Sequence, residues 1–243
     1  MGKQFIAGHY RILRKLSSGA FGHTHLAEDT HLPDNKRCVV KQLKPNSADD
    51  FTIATAKRLF PREAAILNKL GEHPQIPRLL AHLEEDQEFY LVQEYIKGHD
   101  LDHEIKPGTK LEECEVVKIL YEILAILTFV HQQKVIHRDI KPSNIMRRTE
   151  DGKLFLIDFG AVKEIVTQVS NSQKLTVAIG TKGYMPIEQF RGQPRYCSDI
   201  YALGMMAIFA LTGIEPSLLF SDRHTGEIKW RDLAVVNPKL ADI

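Results

Sequence analysis

Apolar residues recur along this chain with two periods, and the change of period divides it. Tyr10 to Leu16 and Thr24 to Glu28 alternate like strands, with S-S-G-A-F-G between them as a glycine turn. Arg37 to Leu43 predicts a third strand with one lysine, Lys41, embedded in it. Segments near Arg78 to Leu83 and Glu88 to Tyr95 predict two more, joined by the acidic turn Glu84-Glu85-Asp86. Between these strands, Leu59, Phe60, Ile66, Leu67 and Leu70 fall on one side of a helix that stops at Gly71. Pro61 is tolerated only in a helix's first turn, so this helix either begins near Phe60 or is split there.

Later in the chain the helical period dominates. Glu112 to Gln133 carries apolar residues around most of its circumference, from Val116 and Val117 to Val130, which predicts a buried helix. Its first carboxylates, Glu112, Glu113 and Glu115, suit the positive end of the helix dipole. Ser198 to Thr212 is a second, nearly all-apolar helix stopped by Gly213. Between the two helices, Asn144 to Met146 and Leu154 to Ile157 flank the polar turn Thr149-Glu150-Asp151-Gly152 and predict a hairpin with a polar cluster at each outer end. Glu215 to Ile243 is less regular. Strands first and helices afterwards make the fold class α+β.

Composition narrows this picture without naming a partner. At 43% hydrophobic and 26% charged, the 243 residues are an ordinary globular sequence. With 32 basic and 31 acidic residues the net charge is +1, which points to neither nucleic acid nor a membrane surface. Cys38, Cys114 and Cys197 are odd in number and form no C-x-x-C pair, as in a reducing compartment. The start M-G-K-Q-F-I has no signal-peptide core, and Ile6 stands where a myristoylation signal requires Ser or Thr. The longest apolar run, Met205 to Leu211, is too short to span a bilayer. These features together predict a cytoplasmic protein.

Chemistry concentrates between Val135 and Gly160. Asp139, Asn144 and Asp158 supply two carboxylates and an amide oxygen, the base and hard oxygen ligands that Mg²⁺-assisted phosphoryl transfer requires. H-R-D-I-K-P-S-N followed by D-F-G, with five residues from Asp139 to Asn144, resembles the catalytic loop and metal-binding motif of the protein kinase superfamily. P-I-E in place of A-P-E, and T-G-E-I-K-W-R-D-L further on, resemble the bacterial and particularly the cyanobacterial-type Ser/Thr kinases.

The resemblance implies a two-lobed kinase fold: a small β-rich lobe over residues 1–95, a mainly helical lobe over 96–243, and ATP between them. It implies Asp139 as the base, Asn144 and Asp158 as Mg²⁺ ligands, Lys141 on the transferring phosphoryl group, and Thr181 holding Asp139 and Lys141 in register. Lys41, in C-V-V-K, would hold the α- and β-phosphates and pair with Glu63. The glycine loop keeps Gly19 and Gly22 of the family pattern, with Ser17 and Thr24 replacing its first glycine and its valine. Leu16, Phe21 and Thr24 would line the nucleotide from that loop, Val39 would cover the adenine, and Met146 would complete the pocket. Backbone groups of Glu94 and Ile96 would read the adenine edge, with Gln93 behind it and Asp100 near the ribose or a basic substrate residue. Asp199 would tie down the H-R-D backbone, helix capping being its alternative role, and Arg138 would dock an activation-loop phosphate.

Further expectations concern the rest of the chain. Thr167, Ser170, Ser172, Thr176 and Thr181 are candidate phosphosites. Strand alternation turns His23 and His25 away from the nucleotide, toward solvent. The implied partners are ATP and a protein bearing a Ser or Thr hydroxyl, with no nucleic acid and no membrane. Measured against the family the sequence stops early, which implies an unpaired Glu188 and an uncovered apolar face on the Ser198 to Thr212 helix, open to self-association or a partner. The rival reading is a kinase-like scaffold that transfers no phosphate. A P-loop NTPase is excluded, because no G-x-x-x-x-G-K-[ST] occurs.

Overall fold

The computed structural model describes residues 5–19, 22–43, 60–61, 64–86, 88–159, 180–222 and 225–242. The described residues fall into two compact units, one up to Lys97 and one from Gly98 onward.

The first unit is an antiparallel sheet of six strands: β1 (Phe5–Ile6), β2 (Tyr10–Gly19), β3 (Gly22–Asp29), β4 (Arg37–Leu43), β5 (Leu79–Glu85) and β6 (Glu88–Glu94), in the order β1-β2-β3-β4-β6-β5. Pairing of Ala27 with Cys38, and of Val40 with Val92, collects small and β-branched side chains on one face. There they form a closed cluster with Ile6, Tyr10 and Tyr90. The same register puts Thr24, Lys41 and Leu91 in one row of the opposite face, and Leu26, Val39 and Gln93 in the next. Residues 64–70 form helix α1, which buries Ala64, Leu67 and Leu70 at helical spacing. Phe60 and Pro61 are also helical, and Phe60 packs at 5.1 Å between ring centroids against Phe89.

Three details of this unit differ from expectation. The strands around the glycine turn are longer, because Ser17 and Ser18 pair with Thr24 and His23, leaving only positions 20 and 21 between Gly19 and Gly22. Gly22 needs its φ of 134°, which a side chain would resist. The acidic turn is shorter, since Glu84 and Glu85 pair with Phe89 and Glu88. His23 and His25 lie on the face opposite Thr24, yet they are half-buried rather than solvent-facing and meet edge-on at 6.2 Å. Burial lowers the His25 pKa, with the charges of His23 and Lys15 adding to the effect.

The second unit combines a three-stranded sheet, β7 (Gly98–Asp100), β8 (Ile145–Arg148) and β9 (Leu154–Leu156), with helices α2 (Glu113–Gln132), α3 (Ile187–Phe190), α4 (Tyr196–Thr212) and α5 (Pro238–Ala241). Helix α2 packs against α4 and β9 through Val116, Ile119, Ile123, Ile126, Leu127 and Val130. It is not buried all round: Val117, Leu124 and Tyr121 lie on the other side, with Tyr121 80% exposed. Helix α4 begins two residues before Ser198 and ends on Gly213 in the left-handed region. Most of its apolar residues, from Ala202 to Leu211, are buried, and only Tyr196, Ile200 and Tyr201 remain among the exposed large side chains. The C-terminal residues reach back toward the start of α2, where the Asn237 amide donates to Glu113 at 2.8 Å.

Strand β7 was not foreseen, and one glycine permits it. A Cβ on Gly98 would lie 2.0 Å from the Arg147 carbonyl oxygen, so only glycine allows this approach to β8. Gly98→Ala should therefore lower stability by about 1–3 kcal/mol, the usual cost of overpacking. Chemical denaturation checks it: an unchanged midpoint would show that β7 moves aside freely.

Candidate active site

The polar cluster of the second unit is built on the β8–β9 hairpin. Pairing of Ile145 with Leu156 brings Asn144 beside Ile157, whose amide donates to the Asn144 carbonyl at 2.9 Å. Asn144 and Asp158 are thus held at the same end of the hairpin, anchored by the fully buried Ile140, Ile145, Leu154 and Leu156.

Asp139 is 3% exposed and is engaged from three directions. Thr181 Oγ1 donates to its Oδ1 at 2.8 Å. Asn144 Nδ2 donates to its Oδ2 at 3.0 Å and to its backbone carbonyl at 2.7 Å. Lys141 Nζ lies 3.3 Å from Oδ2 and donates to Thr181 Oγ1 at 2.8 Å. The Thr181 hydroxyl therefore bridges the carboxylate and the ammonium and is engaged on both sides, unlike a free phosphosite. Burial, followed by the charge of Asp100, raises the pKa of the nearby Asp102 carboxyl, while Lys141 and His103 act in the opposite direction.

The loop before Asp139 adopts backbone that needs outside support. Arg138 has φ 68° and Asp158 φ 59°, both in the left-handed region that costs a non-glycine residue energy. The carboxylate of Asp199, fully buried on α4, accepts the Arg138 amide at 2.8 Å, the His137 amide at 2.9 Å and His131 Nε2 at 2.8 Å. Asp199 does not cap its helix, which begins after Arg195, with Ser198 Oγ receiving the Arg195 amide at 3.0 Å. The His137 ring is fixed as well: Nε2 donates to the Ile157 carbonyl at 3.0 Å, Nδ1 accepts from the Asp139 amide at 3.3 Å, and Phe159 packs at 4.7 Å.

The structure places the remaining expected residues as follows. Lys41 on β4 is half-buried, opposite Thr24 on one side and Leu91 on the other. Val39 pairs with Leu26 and Gln93, and Gln93 is buried. Leu16 sits in an irregularity of β2 between Lys15 and Ser17 and is 38% exposed. Gly19 and Gly22 pair directly, while Phe21 lies outside the described residues. The Glu94 amide donates to the Arg78 carbonyl at 2.9 Å, and Ile96 is buried. These residues belong to the first unit. Met146 belongs to the second, paired with Asp100 and Phe155. Glu63 and the hydroxyls of Thr167, Ser170, Ser172 and Thr176 lie outside the described residues.

Three contributors were missed from sequence, and one expectation fails. His131 buttresses Asp199; the only signal was a histidine in the last turn of a helix whose preceding residues are mostly apolar. Buried Gln189 donates from Nε2 to the Arg138 carbonyl at 2.6 Å, and nothing in P-I-E-Q-F announces it. Glu188 is not unpaired: Ser198 Oγ on α4 donates to its Oε1 at 2.6 Å.

Comparison with known proteins bears on this geometry. Residues 10–238 match the sequence profile of the protein kinase domain. Serine/threonine-protein kinase B of Synechocystis is 47% identical over 242 residues, covering 97% of this chain and 42% of that protein. Serine/threonine-protein kinase PknA of Nostoc is 46% identical over 246 residues, covering 99% of this chain and 44% of its own length. The chain thus spans less than half the length of these relatives. A crystal structure of the Mycobacterium tuberculosis PknI kinase domain is similar with a TM-score of 0.70 at 25% identity, covering 99% of this chain and 86% of that one.

Proposed function

We propose, because this chain belongs to the protein kinase family, that it transfers the γ-phosphoryl group of ATP to a serine or threonine hydroxyl of a protein. The observation that carries this reading is the buried Asp139 carboxylate, engaged at once by Thr181, Asn144 and Lys141. A general base must be aimed as well as ionised, and these contacts leave Asp139 little freedom. Asp139 accepts the proton of the substrate hydroxyl. Lys141 neutralises charge on the transferring phosphoryl group, and Thr181 keeps the two side chains in register. Full engagement of the carboxylate supports transfer over the scaffold reading.

Asn144 and Asp158 would hold Mg²⁺. Both offer oxygen, the donor a hard cation prefers, and with Nδ2 committed to Asp139 the Asn144 amide presents its Oδ1. When bound, the ion supplies positive charge to the phosphates. In the first unit, Lys41 would meet the α- and β-phosphates, Val39 and Gln93 would bound the adenine, and Glu94 and Ile96 would read its edge. The two units would be the β-rich and helical lobes of one kinase domain. The scattered, odd-numbered cysteines support a cytoplasmic setting, and among the described residues no helix is long and apolar enough to cross a membrane.

The test is transfer of label from [γ-³²P]ATP to a general protein acceptor, followed by phosphoamino-acid analysis. Phosphoserine or phosphothreonine is expected, and phosphotyrosine alone, or no transfer, would overturn the reading. Lys41→Met should lower kcat/KM for ATP by about tenfold or more, since one charge-assisted contact is worth roughly 1.5–3 kcal/mol. Unchanged ATP kinetics in this variant would remove Lys41 from the site.

A further inference from the structure

Gln189 makes a contact that the transfer chemistry above does not use. It is 5% exposed on α3, and its Nε2 donates to the carbonyl oxygen of Arg138 at 2.6 Å. That carbonyl belongs to the peptide joining Arg138 to Asp139, so its orientation helps to set where the Asp139 side chain points. Arg138 is held on both sides: its amide by Asp199 Oδ1 at 2.8 Å, and its carbonyl by Gln189. A residue at φ 68° needs such holding, because the left-handed region is unfavourable for arginine.

The chain entering Thr181 packs against the same bond. A Cβ on Gly180 would lie 2.6 Å from Gln189 Nε2, 2.8 Å from Met185 Cε and 3.1 Å from the Arg138 carbonyl oxygen, and Gly180 has φ 141°. The next residue, Thr181, donates to Asp139 Oδ1. Residues 180–189 therefore reach Asp139 twice, through the Thr181 hydroxyl at the carboxylate and through the Gln189 amide at the backbone. A neutral amide suits the second contact, since it donates a hydrogen bond without burying a charge.

We infer that Gln189 is a positioning residue for Asp139: by fixing the Arg138–Asp139 peptide it makes phosphoryl transfer depend on the seating of residues 180–190. This inference rests on the phosphotransfer reading. Its test uses the full chain with Gln189→Met, which keeps length without a donor, and Gln189→Glu, which donates only while protonated. Gln189→Met should lower kcat by roughly 10- to 100-fold, the scale of a misplacement near 1 Å, and leave KM for ATP within about twofold.

For Gln189→Glu, burial raises the carboxyl pKa. Its kcat relative to wild type should be highest at low pH, where the acid donates, and should fall as pH rises through that pKa. The ionisable groups on the surrounding elements include His137, Arg138, Asp139 and Lys141 on the loop, Tyr196, Cys197, Asp199 and Tyr201 on α4, Lys182 and Tyr184 on the preceding turn, and Glu188 and Arg191 beside it. All are present in wild type, so the ratio at each pH isolates position 189. Independently of activity, the ¹⁵N shift of the Asp139 amide should titrate with that carboxyl in Gln189→Glu.

If wild type transfers no phosphate, the phosphotransfer reading falls and this inference with it. An active wild type with undiminished kcat in Gln189→Met overturns the inference alone. Should Gln189→Met fail to melt cooperatively, the Gln189→Glu arm decides, and a pH-independent ratio with a silent Asp139 amide overturns the inference.

Discussion

Asp139→Asn should lower the rate of phosphoryl transfer by roughly 10²- to 10⁴-fold, the range typical for loss of a general base. The substitution conserves shape, so the outcome separates chemistry from packing. Oδ1 could still accept from Thr181, but the new Nδ2 would face Asn144 Nδ2 and Lys141 Nζ, both donors in the present structure. Proton acceptance is lost and the local contacts become repulsive. Mg-ATP affinity should stay within a fewfold of wild type, because the proposed nucleotide and metal groups, Lys41, Asn144 and Asp158, are retained. Turnover on a protein acceptor and equilibrium nucleotide binding would be measured side by side. Wild-type turnover would remove Asp139 from its role, and loss of both properties would show a collapsed site rather than a missing base.

Asp199→Asn should cost about 1–3 kcal/mol of stability and most of the activity. Three donors converge on this fully buried carboxylate: two backbone amides and a histidine ring. An asparagine has one oxygen; placed at the Oδ2 position it keeps the His137 amide and the His131 ring, and the Arg138 amide loses its acceptor and faces an NH₂ group, at about 1–3 kcal/mol. The Arg138 amide, released from Oδ1, would no longer secure the left-handed backbone beside the proposed base. Urea unfolding should show a lower midpoint with an unchanged slope, and kcat should fall by more than any change in KM. Stability equal to wild type would mean that water or a rotated His131 replaces the lost oxygen.

The polar cluster of the candidate site was legible because its members are local: Asp139, Lys141 and Asn144 are near neighbours in sequence and in contact, and Asp158 follows across one hairpin. Strands and helices were legible from periodicity, with errors at their ends. Ser17 and Ser18 look like turn residues, yet cross-strand partners on β3 extend the strand through them. The single-sided burial of α2 was hidden because Val117, Tyr121 and Leu124 are as apolar as the stripe that packs, and only the fold decides which side finds a neighbour. Gln189, His131 and Ser198 were illegible for a different reason. Each acts on a group distant in sequence, and a lone glutamine, histidine or serine carries no spacing that could reveal it.

The Asn144–Ile157 hydrogen bond separates two lengths that a linear count of residues confuses. Thirteen peptide steps lie between Asn144 and Ile157, but their spatial separation is set at the mouth of the hairpin, while the turn at Glu150 to Gly152 only closes the far end. Residues added at that closed end lengthen the connecting chain without moving the open end, at an entropic cost that grows only logarithmically with length. One residue added within β8 or β9 would instead reverse which side chains face inward. The hairpin therefore offers a graft point for a reporter or affinity tag, at Asp151, some way along the strands from the two proposed cation ligands.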